Sequence, residues 1–235
     1  MVVALIYAVI VSRRDHVIYP YLIFIGAGLN GLTEPILDVL GVSTQPEINQ
    51  ITAYFLYGRK IPVYLAICYF YYFPIVITML VRKLGSGMSR AQWWRFYIGL
   101  SIFTTLFDIP GIAQGLWRYY GPMQPPGVMG FPAWWWFGQS TSMCITALVI
   151  HLLRTTVLTG WRSLALIVIT PLALFAALEG PAIPVILALH SGNNPMIPAL
   201  IQPLTIALHL MLIWIGGQVV MLASTTADQA RLKAA

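Results

Sequence analysis

Three acidic residues lie inside apolar stretches, and each stands beside a proline: Glu34-Pro35, Asp108-Ile109-Pro110 and Glu179-Gly180-Pro181. A fourth, Asp38, follows Glu34 by one helical turn, so the two share a helix face. A carboxyl group in hydrocarbon is unfavourable by several kcal/mol unless it is neutral, paired or solvated, which makes each acid a functional candidate. Proline inside a helix frees the carbonyl four residues earlier. Acid plus interrupted backbone predicts a polar pocket within an apolar bundle. Carboxyl groups gathered in a dry pocket divide the work of proton transfer: one donates a proton while another stays anionic and steadies a cation. The catalytic candidates are Glu34, Asp38, Asp108 and Glu179. The competing reading is that each acid only caps a broken helix or sits at the interface. No Lys or Arg falls within the spans to pair with them.

Polar and aromatic neighbours could orient a ligand. Asn30 lies one turn before Glu34, and Gln139 falls near the outer end of a span. Tyr72 belongs to the run Tyr69-Phe70-Tyr71-Tyr72-Phe73, and aromatic faces stabilise cations. His209 is a candidate proton shuttle or partner to an acid. These four are the substrate-binding candidates. Interhelical hydrogen bonding and lipid packing are the plainer roles for the same residues. His151 and His190 fall near span ends. No HxxxH or HxxEH spacing occurs, so no metal site is expected. Cys68 and Cys144 lack CxxC spacing and imply neither a metal nor a disulfide framework. No cofactor is expected.

The elements that must hold these residues are membrane helices. The 235 residues are 59% hydrophobic and 9% charged, with a mean hydropathy of +0.79. Soluble domains carry roughly 25% charge. Apolar stretches of spanning length read at 17–42, 61–81, 96–117, 132–153, 163–188 and 196–223. Residues 1–12 form a half-length seventh at the start, and that run ends in Arg13-Arg14 rather than a signal-peptide cleavage site. The expected fold is an all-α, polytopic transmembrane bundle of about seven spans. It forms one domain over 1–223, with a cytoplasmic tail at 224–235.

Ten of the 13 Lys and Arg residues fall on one side of this arrangement and Arg59, Lys60 and Arg118 on the other. The positive-inside rule then places the amino terminus outside and the carboxyl terminus in the cytoplasm. The formal charge of +6 is absorbed by these loops and carries no nucleic-acid signal. Glu34, Asp108 and Glu179 then lie in the outer half of the bilayer, at roughly 25, 18 and 24 Å from the inner ends of their spans. Matching depth is necessary for a shared pocket but does not establish one. The segment Gly121-Pro122-Met123-Gln124-Pro125-Pro126-Gly127 reads as a rigid outer connector.

Seven spans with an outer amino terminus are the layout of microbial rhodopsins, but the last span holds no lysine for a Schiff base. A carrier would show a repeat between its halves, and only the acid–proline echo is present. The stretch Gly28-Leu29-Asn30-Gly31-Leu32-Thr33-Glu34-Pro35-Ile36-Leu37-Asp38 resembles a family of actinobacterial membrane proteins, that of the spirocyclase from avermectin biosynthesis. Tyr57-Gly58-Arg59-Lys60-Ile61-Pro62-Val63-Tyr64, the Tyr119–Pro125 loop and Pro132-Ala133-Trp134-Trp135-Trp136-Phe137 are similar too. The resemblance implies spiroketal formation on a lipophilic dihydroxyketone polyketide, through an oxocarbenium ion, in the cell membrane. On that chemistry Glu34 or Glu179 is the acid, Asp108 the stabilising anion or base, and Asp38 the acidic neighbour of Glu34. A membrane terpene cyclase acting on a prenyl epoxide would use the same acids. A non-catalytic lipid- or partner-binding subunit is the third reading. The expected partners are a lipophilic small molecule and the bilayer.

Overall fold

A computed structural model describes residues 1–46, 50–192 and 194–234, with side chains up to Leu222. It is an all-helical bundle. Six of its helical segments are long and apolar enough to cross a membrane: Tyr19–Leu40, Val63–Gly85, Arg90–Ala113, Ala133–Thr156, Gly160–Leu189 and Met196–Leu222. A shorter helix, α1 (Val2–Asp15), precedes them and packs its Ala4, Ala8 and Val11 face inward. At 14 residues it is the half-length element expected at the start.

The first long segment is not one helix. α2 (Tyr19–Leu29) passes into a 3-10 turn at Asn30–Thr33, and α3 (Glu34–Leu40) then resumes. Pro35 sits in the first turn of α3, where its missing N–H would have had no helical partner. The Gly31 carbonyl four residues earlier instead accepts the Tyr54 hydroxyl. The glycines of this segment allow close approach. A Cβ at Gly28 would stand 2.1 Å from the Phe70 ring, and one at Gly26 would stand 2.8 Å from the Ile167 carbonyl oxygen.

The segment expected as one span at 61–81 also breaks, into α4 (Val63–Cys68) and α5 (Tyr72–Gly85). Pro74 explains the position, because its ring conflicts with the carbonyl of Phe70 and it cannot donate to it. The aromatic run therefore occupies a turn inside the bundle rather than a continuous helix. α6 (Arg90–Ala113) begins six residues before the expected 96. Its start is fixed by a capping box in which Ser89 Oγ accepts from the Gln92 N–H (3.2 Å) and Gln92 Oε1 accepts from the Ser89 N–H (2.8 Å).

α7 (Ala133–Thr156) is the central helix and packs against α5, α6, α8 (Leu166–Leu189) and α9 (Met196–Ala234). Small residues on α7, among them Gly138, Ser140, Ser142, Cys144 and Ala147, are buried and admit its neighbours closely. α9 runs through the boundary expected at 223, so the tail backbone continues the last helix. Large apolar side chains such as Ile102, Leu106, Leu172, Leu187, Leu200 and Trp214 point outward. A bilayer solvates such a surface, whereas water would not.

Alongside the helices, the described residues form three short antiparallel ladders, all at the end of the bundle where α7 begins. β1 (Ser43–Thr44) pairs with β4 (Arg118–Tyr119), β2 (Thr52–Leu56) with β3 (Arg59–Pro62), and β5 (Gly127–Val128) with β6 (Phe131–Pro132). The last of these takes in Gly127 of the Gly121–Gly127 connector, so that segment is not wholly irregular. Two apolar clusters fill the bundle. One surrounds Trp93, Leu80, Ile77, Met143 and Ile213, and the other surrounds Trp134, Trp135, Leu178 and Val185.

Candidate functional site

A cavity of about 490 Å³ borders both clusters, taking Leu174 from one and Leu37, Trp135 and Leu178 from the other. Six of the eight candidate residues line it: Asn30, Glu34, Asp38, Tyr72, Asp108 and Gln139. They come from the broken α2–α3 segment, α5, α6 and α7. The rest of the wall is mostly apolar or aromatic, with Phe73, Phe107, Trp117 and Trp135 prominent. Volume and lining fit a drug-sized lipophilic molecule.

Glu34 and Asp38 form a joined pair, as their spacing on α3 requires. Gln45 lies past the helix end, where the chain doubles back. Its Nε2 donates to Asp38 Oδ1 at 3.0 Å and to Glu34 Oε1 at 3.2 Å. Ser43 Oγ donates to Asp38 Oδ1 at 2.8 Å, and the Tyr69 hydroxyl donates to Glu34 Oε2. Among the described residues, each carboxyl group thus meets two side-chain donors. The second oxygen of Asp38 is buried and takes no hydrogen bond among the described residues. Ser43 and Gln45 carried no sequence signal, and Tyr69 stood out only as one of an aromatic run.

Asp108 belongs to a separate wall. It is buried on α6 with the Gln139 side chain beside it, and its Oδ2 takes no hydrogen bond among the described residues. The Tyr72 hydroxyl is likewise buried and has no hydrogen-bond partner among the described residues. Its ring stacks on Phe107, one residue before Asp108, with centroids 6.1 Å apart and planes 8° apart. Tyr69 stacks on Phe73 with centroids 5.0 Å apart. The aromatic turn that breaks the α4–α5 segment therefore delivers one phenol to the Glu34 carboxyl and another to the cavity.

Glu179 and His209 are not wall residues. Glu179 is buried on α8, one residue beyond the wall residue Leu178, and neither carboxyl oxygen meets a partner among the described residues. His209 is fully buried on α9 against Gly138. A Cβ at Gly138 would come within 3.3 Å of the imidazole Cε1 and Nε2, and within 2.8 Å of Leu178 Cδ1. Both residues stand one layer behind the cavity.

The loops over the cavity are fastened by side-chain bonds. Gln124 Nε2 donates to the carbonyls of Gly41 (2.8 Å) and Val42 (3.1 Å), and the Tyr64 hydroxyl donates to the Leu116 carbonyl. Tyr119, on β4, lines the cavity. Burial, and secondarily the carboxyl groups of Asp108 and Glu34, push its phenol above the ordinary value, so it stays neutral. No group of three His, Cys, Asp or Glu suited to a metal ion occurs among the described residues. The arrangement offers a doubly supported carboxyl pair, a separate carboxyl group and aromatic walls around one apolar space. No family model, curated protein or solved structure matches the chain.

Proposed function

We propose that this membrane protein is an acid-catalysed cyclase of the cell membrane that closes a lipophilic dihydroxyketone to a spiroketal. The observation that carries the reading is the meeting of Glu34, Asp38 and Asp108, from two separate segments, on one mostly apolar cavity. In the proposed reaction the ketone and one hydroxyl have closed to a hemiketal. A proton held by the Glu34–Asp38 pair passes to the hemiketal hydroxyl, and the C–O bond breaks to release water. The resulting oxocarbenium ion is steadied by the Asp108 carboxylate and by the faces of Tyr72 and Phe107. The second hydroxyl then attacks the cationic carbon, and its proton returns to a carboxylate. The proton balance closes with one water lost.

This assignment favours Glu34 over Glu179 as the acid, because Glu34 borders the space in which a substrate would sit. Tyr69 and Gln45 are positioning residues that fix the two carboxyl groups. The aromatic wall is equally suited to a carbocation, so the test offers two substrates. Protein reconstituted in nanodiscs receives a long-chain dihydroxyketone and, separately, a prenyl epoxide. Spiroketal product of one dominant stereochemistry, lost in Glu34→Gln, is the expected result. Turnover of the epoxide alone would reassign the protein to terpene cyclisation. Turnover of neither would leave the acids a structural role.

A further inference from the structure

A second recess lies at the opposite end of the bundle and is unlike the first in chemistry. It measures about 560 Å³ and is formed where α1, α5 and α7 end and α2 begins. Arg154 stands 15 residues along α7 from Gln139, which separates the two sites by about 22 Å. Among the described residues, Arg82, Lys83 and Arg154 border the recess with Asp15 as the single carboxylate, a formal charge of +2.

Basic residues at a membrane interface need no ligand to explain them, since they set orientation. These three do more than populate a loop. Arg82 is fixed by Asp15, its Nε donating to Oδ2 at 2.7 Å and its Nη2 to Oδ1 at 3.2 Å. Arg154 is fixed by a different contact, its guanidinium carbon 4.5 Å from the centroid of the Tyr19 ring. That contact holds the guanidinium over the ring. The Nε of Arg154 is buried and has no hydrogen-bond partner among the described residues. Gly85 leaves room for the same guanidinium, since a Cβ there would approach its Nη2 to 3.3 Å. A guanidinium held in place at the recess, beside an exposed lysine and a surplus of positive charge, is the pattern that recognises phosphate oxygens.

We infer that this recess is a binding site for a phosphate group, presented by an anionic lipid headgroup or by a free phosphate. Basic pockets between transmembrane helices take phospholipid headgroups in this way. The site is independent of the chemistry assigned to the acidic cavity.

The test uses the full chain in detergent with two probes, short-chain phosphatidylglycerol and inorganic phosphate, and reads the binding midpoint. Variants are Arg154→Gln, Lys83→Gln and, as a control for general basicity, Arg14→Gln, an exposed residue that does not border the recess. Saturable binding of either probe is expected, weakened about tenfold by Arg154→Gln or Lys83→Gln, as loss of a charge-assisted hydrogen bond requires. Arg14→Gln leaves it within about twofold of wild type, since an exposed charge outside the recess contributes little. Binding of phosphatidylglycerol alone makes the ligand a lipid headgroup; binding of both makes it phosphate in general. Should Arg154→Gln not fold, the exposed Lys83 carries the test. The inference falls if neither probe saturates, or if Arg14→Gln weakens binding as much as Lys83→Gln does.

Discussion

Replacing Tyr69 by Phe removes one hydroxyl and keeps the ring. The stack on Phe73, with planes 4° apart, is preserved, and so is the packing of the α4–α5 turn. What disappears is the donor to Glu34 Oε2, leaving that carboxyl with the Gln45 amide at 3.2 Å as its remaining side-chain donor. Hydrogen bonds to carboxylates contribute about 1.5–3 kcal/mol, against about 0.5–1.5 for neutral pairs. At about 1.4 kcal/mol per factor of ten, turnover should fall roughly tenfold to a hundredfold if the bond holds Glu34 for proton transfer. The matched control is Tyr54→Phe, which removes a hydroxyl from the Gly31 carbonyl and leaves the carboxyl pair intact. That change should lower stability by about 1 kcal/mol and leave turnover within about threefold. The assay is spiroketal formation in nanodiscs, with a thermal melt on each variant. Equal turnover in the two variants, at comparable melting temperatures, would refute the role given to Tyr69.

Other consequences concern the scaffold. Trp93→Phe should destabilise the bundle by about 2 kcal/mol, because the fully buried indole Nε1 donates to the Ile213 carbonyl at 2.9 Å and that carbonyl would lose its side-chain donor; a detergent melt reads it. Asp15→Asn should change stability by less than about 1 kcal/mol, since both partners of its ion pair with Arg82 are about 30% exposed. Gly138→Val should lower the melting temperature far more than Gly99→Val. A Cβ at Gly138 meets Leu178 at 2.8 Å and His209 at 3.3 Å, while one at Gly99 meets nothing within 4 Å.

The bundle was legible because its signals are local. Apolar length marked the long segments, and Pro35 marked the break that separates α2 from α3, whereas α6 and α8 run on as continuous helices through Pro110 and Pro181 and do not show the interruption expected beside Asp108 and Glu179. The Glu34–Asp38 pair was legible because four residues make one helical turn. Gln45 and Ser43 were not, because their place over the carboxyl groups depends on the chain folding back after Gly41 and pairing Ser43 with Tyr119. Nothing local encodes that pairing. The difference between Asp108 and Glu179 was hidden for another reason. Rise per residue gave both a similar depth, but membership in the cavity depends on rotation about the helix axis. α8 is apolar on nearly all sides, so its pattern does not reveal which face carries Glu179 inward. The break before α5 had a visible cause in Pro74, masked by the aromatic run that reads as a span.

The most direct test of the account sets Glu34→Gln against Glu179→Gln, with turnover of the dihydroxyketone measured in the same nanodiscs. Both side chains are buried acids on membrane helices, and only Glu34 borders the cavity. Loss of a proton donor from the reacting space should lower the rate of Glu34→Gln by about 10²–10⁴-fold, with Glu179→Gln retaining most of its activity. Full activity in Glu34→Gln, or a larger loss in Glu179→Gln, would contradict a cavity acid as the proton source.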